Sequence, residues 1–219
     1  MKIVGLVPFW LGNNDIRDIK KLAGRYLIEY TIELLNSSSL IDETIIYSSD
    51  NKIFDYISDD ISVKHVKRPT LLDQEDISME DIIKEFLISN DADIVVLMNP
   101  LCPFIKKDTL DDCIKKVKDQ GFDSAFTALE VQKLAWFKSK PLNFELDKKT
   151  PKLKKLDRIT IEQGLTYVIS RDSFTKTNSR VGQNPYVKII DYFEGHEINY
   201  EKDFEMAELI VNSGMFHGA

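Results

Sequence analysis

Cysteine and histidine are scarce in this chain: Cys102, Cys113, His65, His196 and His217 are the only ones in 219 residues. The cysteines lack metal-type spacing and the histidines are scattered, so neither a zinc centre nor a histidine-based nucleophile system is supported. The start has no signal-peptide shape, and two cysteines without a secretory context point to the reducing cytoplasm and to reduced core thiols rather than a disulfide. No apolar run approaches the ~20 residues that span a bilayer, so no membrane partner is expected. Positive charge is also in deficit, with 29 Lys and Arg against 36 Asp and Glu for a formal charge of −7. A nucleic acid or an anionic membrane surface needs a net basic face, and neither is expected as a partner. A locally basic pocket for a nucleotide is still compatible with that balance.

The chain is 43% apolar, enough for one core, and carries no repeat or low-complexity segment. A single domain, 1–219, is expected. Apolar runs at Ile3–Val7, Thr44–Tyr47 and Ile94–Met98 read as buried parallel strands, and Leu27–Leu35, Met79–Leu87 and Leu110–Val117 carry helical spacing between them. This βαβ rhythm predicts an α/β fold, a mostly parallel sheet flanked by helices. A shorter strand, Ser62–Val66, joins the same sheet. Beyond Ser124 the rhythm changes. Ser124–Val131 reads as a strand, Ala135–Phe137 and Asn143–Leu146 as short extended pieces, and Asp147–Lys155 as a lysine-rich link, together an antiparallel excursion. Leu165–Ile169, Val187–Ile190 and a helix over Glu201–Asn212 bring the chain back to the sheet.

Ligands in such sheets collect at the C-terminal edge of the strands, and phosphates collect where a loop leaves the first strand. That loop here, Pro8-Phe9-Trp10-Leu11-Gly12-Asn13-Asn14-Asp15, has one glycine and no cation before Arg17, after which come Lys20 and Lys21. Ser48-Ser49-Asp50 ends the second strand and would lie along a nucleotide, or would simply cap a helix starting near Asn51. Asn99-Pro100-Leu101-Cys102-Pro103 forces an abrupt exit from the third long strand, presenting Asn99 to a ligand or merely stopping the strand while Cys102 packs in the core. Arg68 could clamp an anionic group or pair with Asp76. Glu162-Gln163-Gly164 offers two polar side chains beside a glycine that permits close approach or only forms a bulge. Glu197 and Asn199, two apart on an extended segment, are oxygen donors suited to Mg²⁺, or are exposed polar residues. Asp203 is a helix-start residue, and Lys106-Lys107 and Lys152–Lys155 are read as solvated faces.

Taken in order, these segments resemble the acylneuraminate cytidylyltransferase family, the CMP-sialic acid synthetases and their relatives acting on other acidic sugars. The family's K-N-I-K-x-L-A-G-x-P-L-I is similar to Arg17-Asp18-Ile19-Lys20-Lys21-Leu22-Ala23-Gly24-Arg25-Tyr26-Leu27-Ile28, and its S-T-D-S to Ser48-Ser49-Asp50-Asn51. Its R-P element resembles Arg68-Pro69, its L-Q-P-T-S-P-L-R resembles Leu97-Met98-Asn99-Pro100-Leu101-Cys102-Pro103-Phe104-Ile105, and its E-N-G-A-x-Y resembles Glu162-Gln163-Gly164-Leu165-Thr166-Tyr167. Its D-I-D-x-x-x-D-F-x-x-A-E is similar to Glu197-Ile198-Asn199 through Asp203-Phe204 to Ala207-Glu208. The likeness covers nearly the whole chain.

The resemblance implies a Rossmann-like, nucleotide-diphospho-sugar transferase-like fold with a dimerisation insertion at about 131–158, and therefore a homodimer. It implies transfer of CMP from CTP to an acidic sugar or related acid with release of pyrophosphate, in the presence of Mg²⁺. Arg17, Lys20 and Lys21 would be the catalytic cations; Pro8, Gly12, Ser49 and Asp50 would bind the nucleotide. Arg68, Asn99, Glu162 and Gln163 would bind the acceptor, and Glu197 and Asn199 the metal. The chain departs from the family at the loop, whose P-A-R-G-G-S-K arginine and lysine are absent, and at Asn99, Cys102, Ile105, Gln163, Glu197 and Asn199. Those departures define the alternative, an inactive relative serving as a binding or assembly subunit.

Overall fold

The computed structural model describes residues 1–10 and 20–214. In chain order the elements are β1 (Ile3–Pro8), a hairpin of β2 (Lys21–Leu22) and β3 (Arg25–Tyr26), α1 (Leu27–Ser37), β4 (Glu43–Ser48), β5 (Lys64–Lys67), α2 (Met79–Ser89), β6 (Ile94–Met98) and α3 (Lys107–Asp119). There follow β7 (Ser124–Val131), a small hairpin of β8 (Trp136–Phe137) and β9 (Lys140–Pro141), β10 (Ile159–Ser170), α4 (Arg171–Thr177), β11 (Pro185–Ile190) and α5 (Glu201–Asn212). Seven strands form one sheet in the order β11-β7-β10-β6-β1-β4-β5. Within it β10 alone runs against its neighbours, antiparallel to both β6 and β7. The expected α/β architecture with a mostly parallel sheet is what the chain adopts.

β1 sits inside the sheet because it is apolar on both sides. Ile3 and Val7 face one core with Ile28 and Ile32 of α1 and Leu110 and Ile114 of α3. Val4 and Leu6 face the other, with Ile83 and Phe86 of α2 and Phe174 of α4. A strand covered on both faces reads as a continuous hydrophobic run, which is why β1, β4 and β6 were legible. A third cluster packs Phe204, Ala207 and Ile210 of α5 against Leu22, Leu27, Tyr30 and Phe104, closing the C-terminal edge of the sheet on one side.

Local chemistry sets several boundaries. Ala23 and Gly24 both take positive φ, 50° and 85°, the two-residue turn whose twist suits a hairpin. Ser78 caps α2, its Oγ accepting from the Asp81 N–H at 3.1 Å while the Asp81 carboxylate accepts from the Ser78 N–H at 3.1 Å. Helix α1 is held by Glu29, whose buried carboxylate accepts from the Tyr26 N–H and the Ser58 N–H at 2.9 Å each and from the Ser58 Oγ at 2.6 Å. Burial opposes the Glu29 charge most, but these bonds more than offset it and hold the carboxyl below its usual range.

The structure corrects several expectations. Asn143–Leu146 is not a strand; the partner of β8 is Lys140–Pro141, two residues after it. Asn143 instead braces the turn, its Nδ2 donating to the Lys133 and Asp157 carbonyls. Helix α4 was not anticipated, because it has only two turns and one strongly apolar residue, Phe174; its Arg171 guanidinium donates to the carbonyls of Leu87, Asn90 and Ala92. Lys106 and Lys107 are exposed, as expected of a solvated face, and carry ion pairs there: Lys106 with Asp191 and Glu194, and Lys107 with Asp111. Asp203 does start α5, accepting from the backbone N–H groups of Asn199 and Tyr200.

Candidate functional site

Three strands end together at one edge. Pro8 ends β1 opposite Tyr47 of β4, and the Phe9 N–H donates to the Tyr47 carbonyl at 3.1 Å, so Pro8 lies beside Ser48-Ser49-Asp50. On the other side of β1, β6 ends at Met98 and runs into Asn99. The Asn99 N–H donates to the Leu165 carbonyl of β10 at 3.0 Å, and its Oδ1 accepts from the Leu101 N–H at 3.0 Å. That turn uses Oδ1, so the Nδ2 donor pair is what Asn99 can offer a ligand.

Between these strand ends lies a cavity of about 170 Å³, bordered by Pro8, Asn99, Gly164, Tyr167, Met79 and Arg180 together with apolar residues of β6 and β10. Gly164 stands at φ +70° where the β10–β7 register shifts between Glu162 and Tyr167. Among the described residues beyond its chain neighbours, no atom lies within 4 Å of where its Cβ would be. The glycine forms a bulge and lines the cavity. The bulge turns Glu162 back onto Tyr167, whose hydroxyl donates to the Glu162 carboxylate. Burial first, then Glu162, pushes the Tyr167 hydroxyl well above its ordinary range, so it stays a neutral donor.

Of the predicted acceptor residues, Asn99 borders the cavity and Glu162 reaches it through Tyr167, while Gln163 is half-buried beside Gly164. Arg68 is placed differently. Its guanidinium is 3% exposed and bonds Asp73 at 2.5 Å, not Asp76, and its Nε has no partner among the described residues. Among the nucleotide candidates, Pro8 borders the cavity, and Ser49 and Asp50 follow the end of β4, the strand paired with β1. Asp50 also acts as a cap, accepting from the Lys52 N–H at 2.9 Å at the start of the 3₁₀ turn Asn51–Tyr56. Lys20 is engaged elsewhere: its ammonium bonds Glu201 and lies 4.6 Å over the Phe204 ring. Lys21 lies 4.5 Å over the Tyr26 ring. Arg17 and Gly12 lie outside the described residues.

Glu197 and Asn199 follow β11 in a segment fastened to the loop after β6, where the Ile198 N–H donates to the Leu101 carbonyl at 2.9 Å. Cys102 is buried in the core as a free thiol; burial, and next the Glu197 charge, raise it far from thiolate character. Glu197 thus stands near the same strand edge as Asn99.

The residue that sequence reasoning missed is Arg180. Its guanidinium lies 4.8 Å over the Tyr167 ring and its Nη1 is 3.6 Å from Glu80 at the start of α2. It occurs in an aperiodic turn, Ser179–Asn184, and the only local signal was a lone arginine among small polar residues.

These features define a class. The fold is that of an α/β nucleotidyltransferase, with the cavity at the carboxyl ends of the central strands. A CMP:2-keto-3-deoxy-manno-octonic acid synthetase complexed with CTP superimposes with a TM-score of 0.73 at 14% identity, covering 98% of this chain and all of that one. The 4-diphosphocytidyl-2C-methyl-D-erythritol synthase of Anaerococcus prevotii gives 0.64 at 14% identity, covering 96% of this chain and 99% of that one. None of the curated proteins matches by sequence. A family model described as cytidylyltransferase matches residues 17–208. This chain belongs to the cytidylyltransferase family.

Proposed function

We propose that this protein transfers CMP from CTP to an acidic sugar or a related small acid. An acceptor hydroxyl oxygen attacks the α-phosphorus and forms the new P–O bond, the bond to the bridging oxygen of the β-phosphate breaks, pyrophosphate leaves, and the hydroxyl proton passes to solvent. Such in-line transfer depends on positioning and charge neutralisation more than on covalent help. The cavity joining the ends of β1 and β6 to the bulge of β10 carries the reading: Pro8, whose strand pairs with β4 just before Ser49-Asp50, borders it on one side, and Asn99 and Tyr167, the latter bonded to Glu162, border it on the other. One structural neighbour is named for an acidic octonic sugar and another for a methylerythritol product, so the fold leaves the acceptor open and the acidic choice rests on the sequence resemblance.

Among the described residues no group of three His, Cys, Asp or Glu is poised for a metal. One carboxylate, Glu197, and one amide, Asn199, nevertheless suit Mg²⁺, which takes one or two protein oxygens and fills its shell with water and phosphate. Those two residues would hold it, and when bound it would neutralise charge on the triphosphate. Arg17, Lys20 and Lys21 would supply the remaining positive charge. The segment between β7 and β10 exposes Trp136 and Phe137, 55% and 61% accessible, and fits the expected dimerisation arm. The working place of the enzyme is proposed to be the cytoplasm; no helix among the described residues is long and apolar enough to cross a membrane.

Calorimetric titration with CTP and Mg²⁺, then pyrophosphate release across a panel of acidic sugars and small phosphonates, tests the proposal. Absence of CTP binding at millimolar concentration rejects it. One observation favours a second reading, a nucleotide-binding subunit without turnover: Lys20 is already committed to Glu201 and Phe204. If the protein is catalytic, Lys20→Ala lowers turnover at least about tenfold; if the second reading holds, there is no turnover to lower.

A further inference from the structure

Among the described residues bordering the cavity, Arg180 is the one cationic side chain. The chain as a whole carries −7, so an acid arriving there meets a repulsive background that a local cation must overcome. The setting of Arg180 is that of a prepared anion reader. Its guanidinium lies over the Tyr167 ring at 4.8 Å, and the Tyr167 hydroxyl is itself held by donating to Glu162. The cation–π contact holds the guanidinium at the cavity wall, over a ring that its own bond to Glu162 keeps in place. The Glu80 carboxylate lies 3.6 Å from Nη1, longer than a hydrogen bond, with both side chains partly exposed. A guanidinium has five N–H donors, and these contacts leave donors for a ligand.

We propose that Arg180 binds the oxyanion of the acceptor, a carboxylate or a phosphonate, and so sets acceptor specificity, with Tyr167 and Glu162 as its positioning residues. The inference rests on the cytidylyltransferase reading, since it assigns the acceptor half of that site. Asn99, across the cavity, offers Nδ2 to a hydroxyl or carbonyl of the same molecule.

The test uses the full chain and three probes: 2-keto-3-deoxy-manno-octonic acid, its neutral methyl ester, and phosphonoacetate. Each is titrated calorimetrically, with and without CTP, into the wild type, Arg180→Met and Arg180→Lys. At least one acid should bind the wild type, and Arg180→Met should weaken it about tenfold or more. The ester should bind weakly and equally to all three proteins, and CTP affinity should stay within about twofold. Arg180→Lys should recover part of the loss, because it keeps the charge but not the fork. The acid that responds identifies the oxyanion. In pyrophosphate release, KM for that acid should rise with Arg180→Met while kcat changes little. Equal binding of the acids to wild type and Arg180→Met overturns the proposal, as does an equal loss of CTP affinity or a wild type that binds neither acid. Should Arg180→Met fail to fold by circular dichroism, the same comparison is made with Arg180→Gln. A wild type that binds an acid but not CTP would reject the proposed function and leave the role of Arg180 standing.

Discussion

Arg68 and Asp73 offer a quantitative test of whether a sequence-predicted acceptor residue serves the ligand or the fold. Arg68 follows β5, its N–H donating to the Ser48 carbonyl at 3.0 Å, and its side chain is 3% exposed against 17% for Asp73. The two are therefore not equivalent. Asp73→Leu leaves a buried guanidinium without its counter-charge, a loss of about 3 to 5 kcal/mol. Arg68→Met leaves a carboxylate that can turn towards water, and should cost about 1 to 2 kcal/mol. The double variant Arg68→Met/Asp73→Leu removes both charges and should return to within about 1 kcal/mol of the wild type. Urea unfolding measures the three stabilities, and steady-state assays with CTP and the responding acid measure KM. The pair being structural, the double variant should keep both KM values within about threefold, a range of some 0.7 kcal/mol. Arg68→Met proving as destabilising as Asp73→Leu, or a tenfold rise in acid KM for the folded double variant, would refute the assignment.

Glu29 has a lowered carboxyl, so its contribution to stability is complete above the unfolded glutamate value of about 4.3 and is lost as pH falls through the lower folded value. Glu29→Gln should cost about 2 kcal/mol at pH 7, and urea unfolding at successive pH values should show that difference shrinking below about pH 4; a pH-independent difference counts against it. Gly164→Ala should lose about 1 kcal/mol from its positive φ alone, since among the described residues nothing crowds the added methyl group. Its acid KM should rise while CTP affinity holds, and Gly164→Asn should be better tolerated in melting experiments because asparagine accepts that backbone region.

Continuous apolar runs made β1, β4 and β6 readable along the chain, because strands buried on both faces are apolar throughout, and the helices α1, α2, α3 and α5 were readable because burial on one face imposes a period on neighbouring residues. Asn99, Glu162 and Gly164 were found for a related reason: each marks a local interruption, a proline exit or a bulge, which changes the backbone within a few residues. Direction was beyond reach. The apolar run Leu165–Ile169 reads the same whether its strand is parallel or antiparallel, and only pairing with Val95–Met98 and Ser124–Phe126 reverses β10. Partners of charges were equally hidden. Lys20 meets Glu201 across 181 residues of sequence, Arg68 chose Asp73 over Asp76, and Arg180 reached Tyr167 from a turn without periodicity. Side-chain identity limits which interactions a group can form, but a charge or a hydrogen-bond donor acts over a few ångströms. Its partner is therefore chosen by whichever distant segments the packed sheet brings within that range.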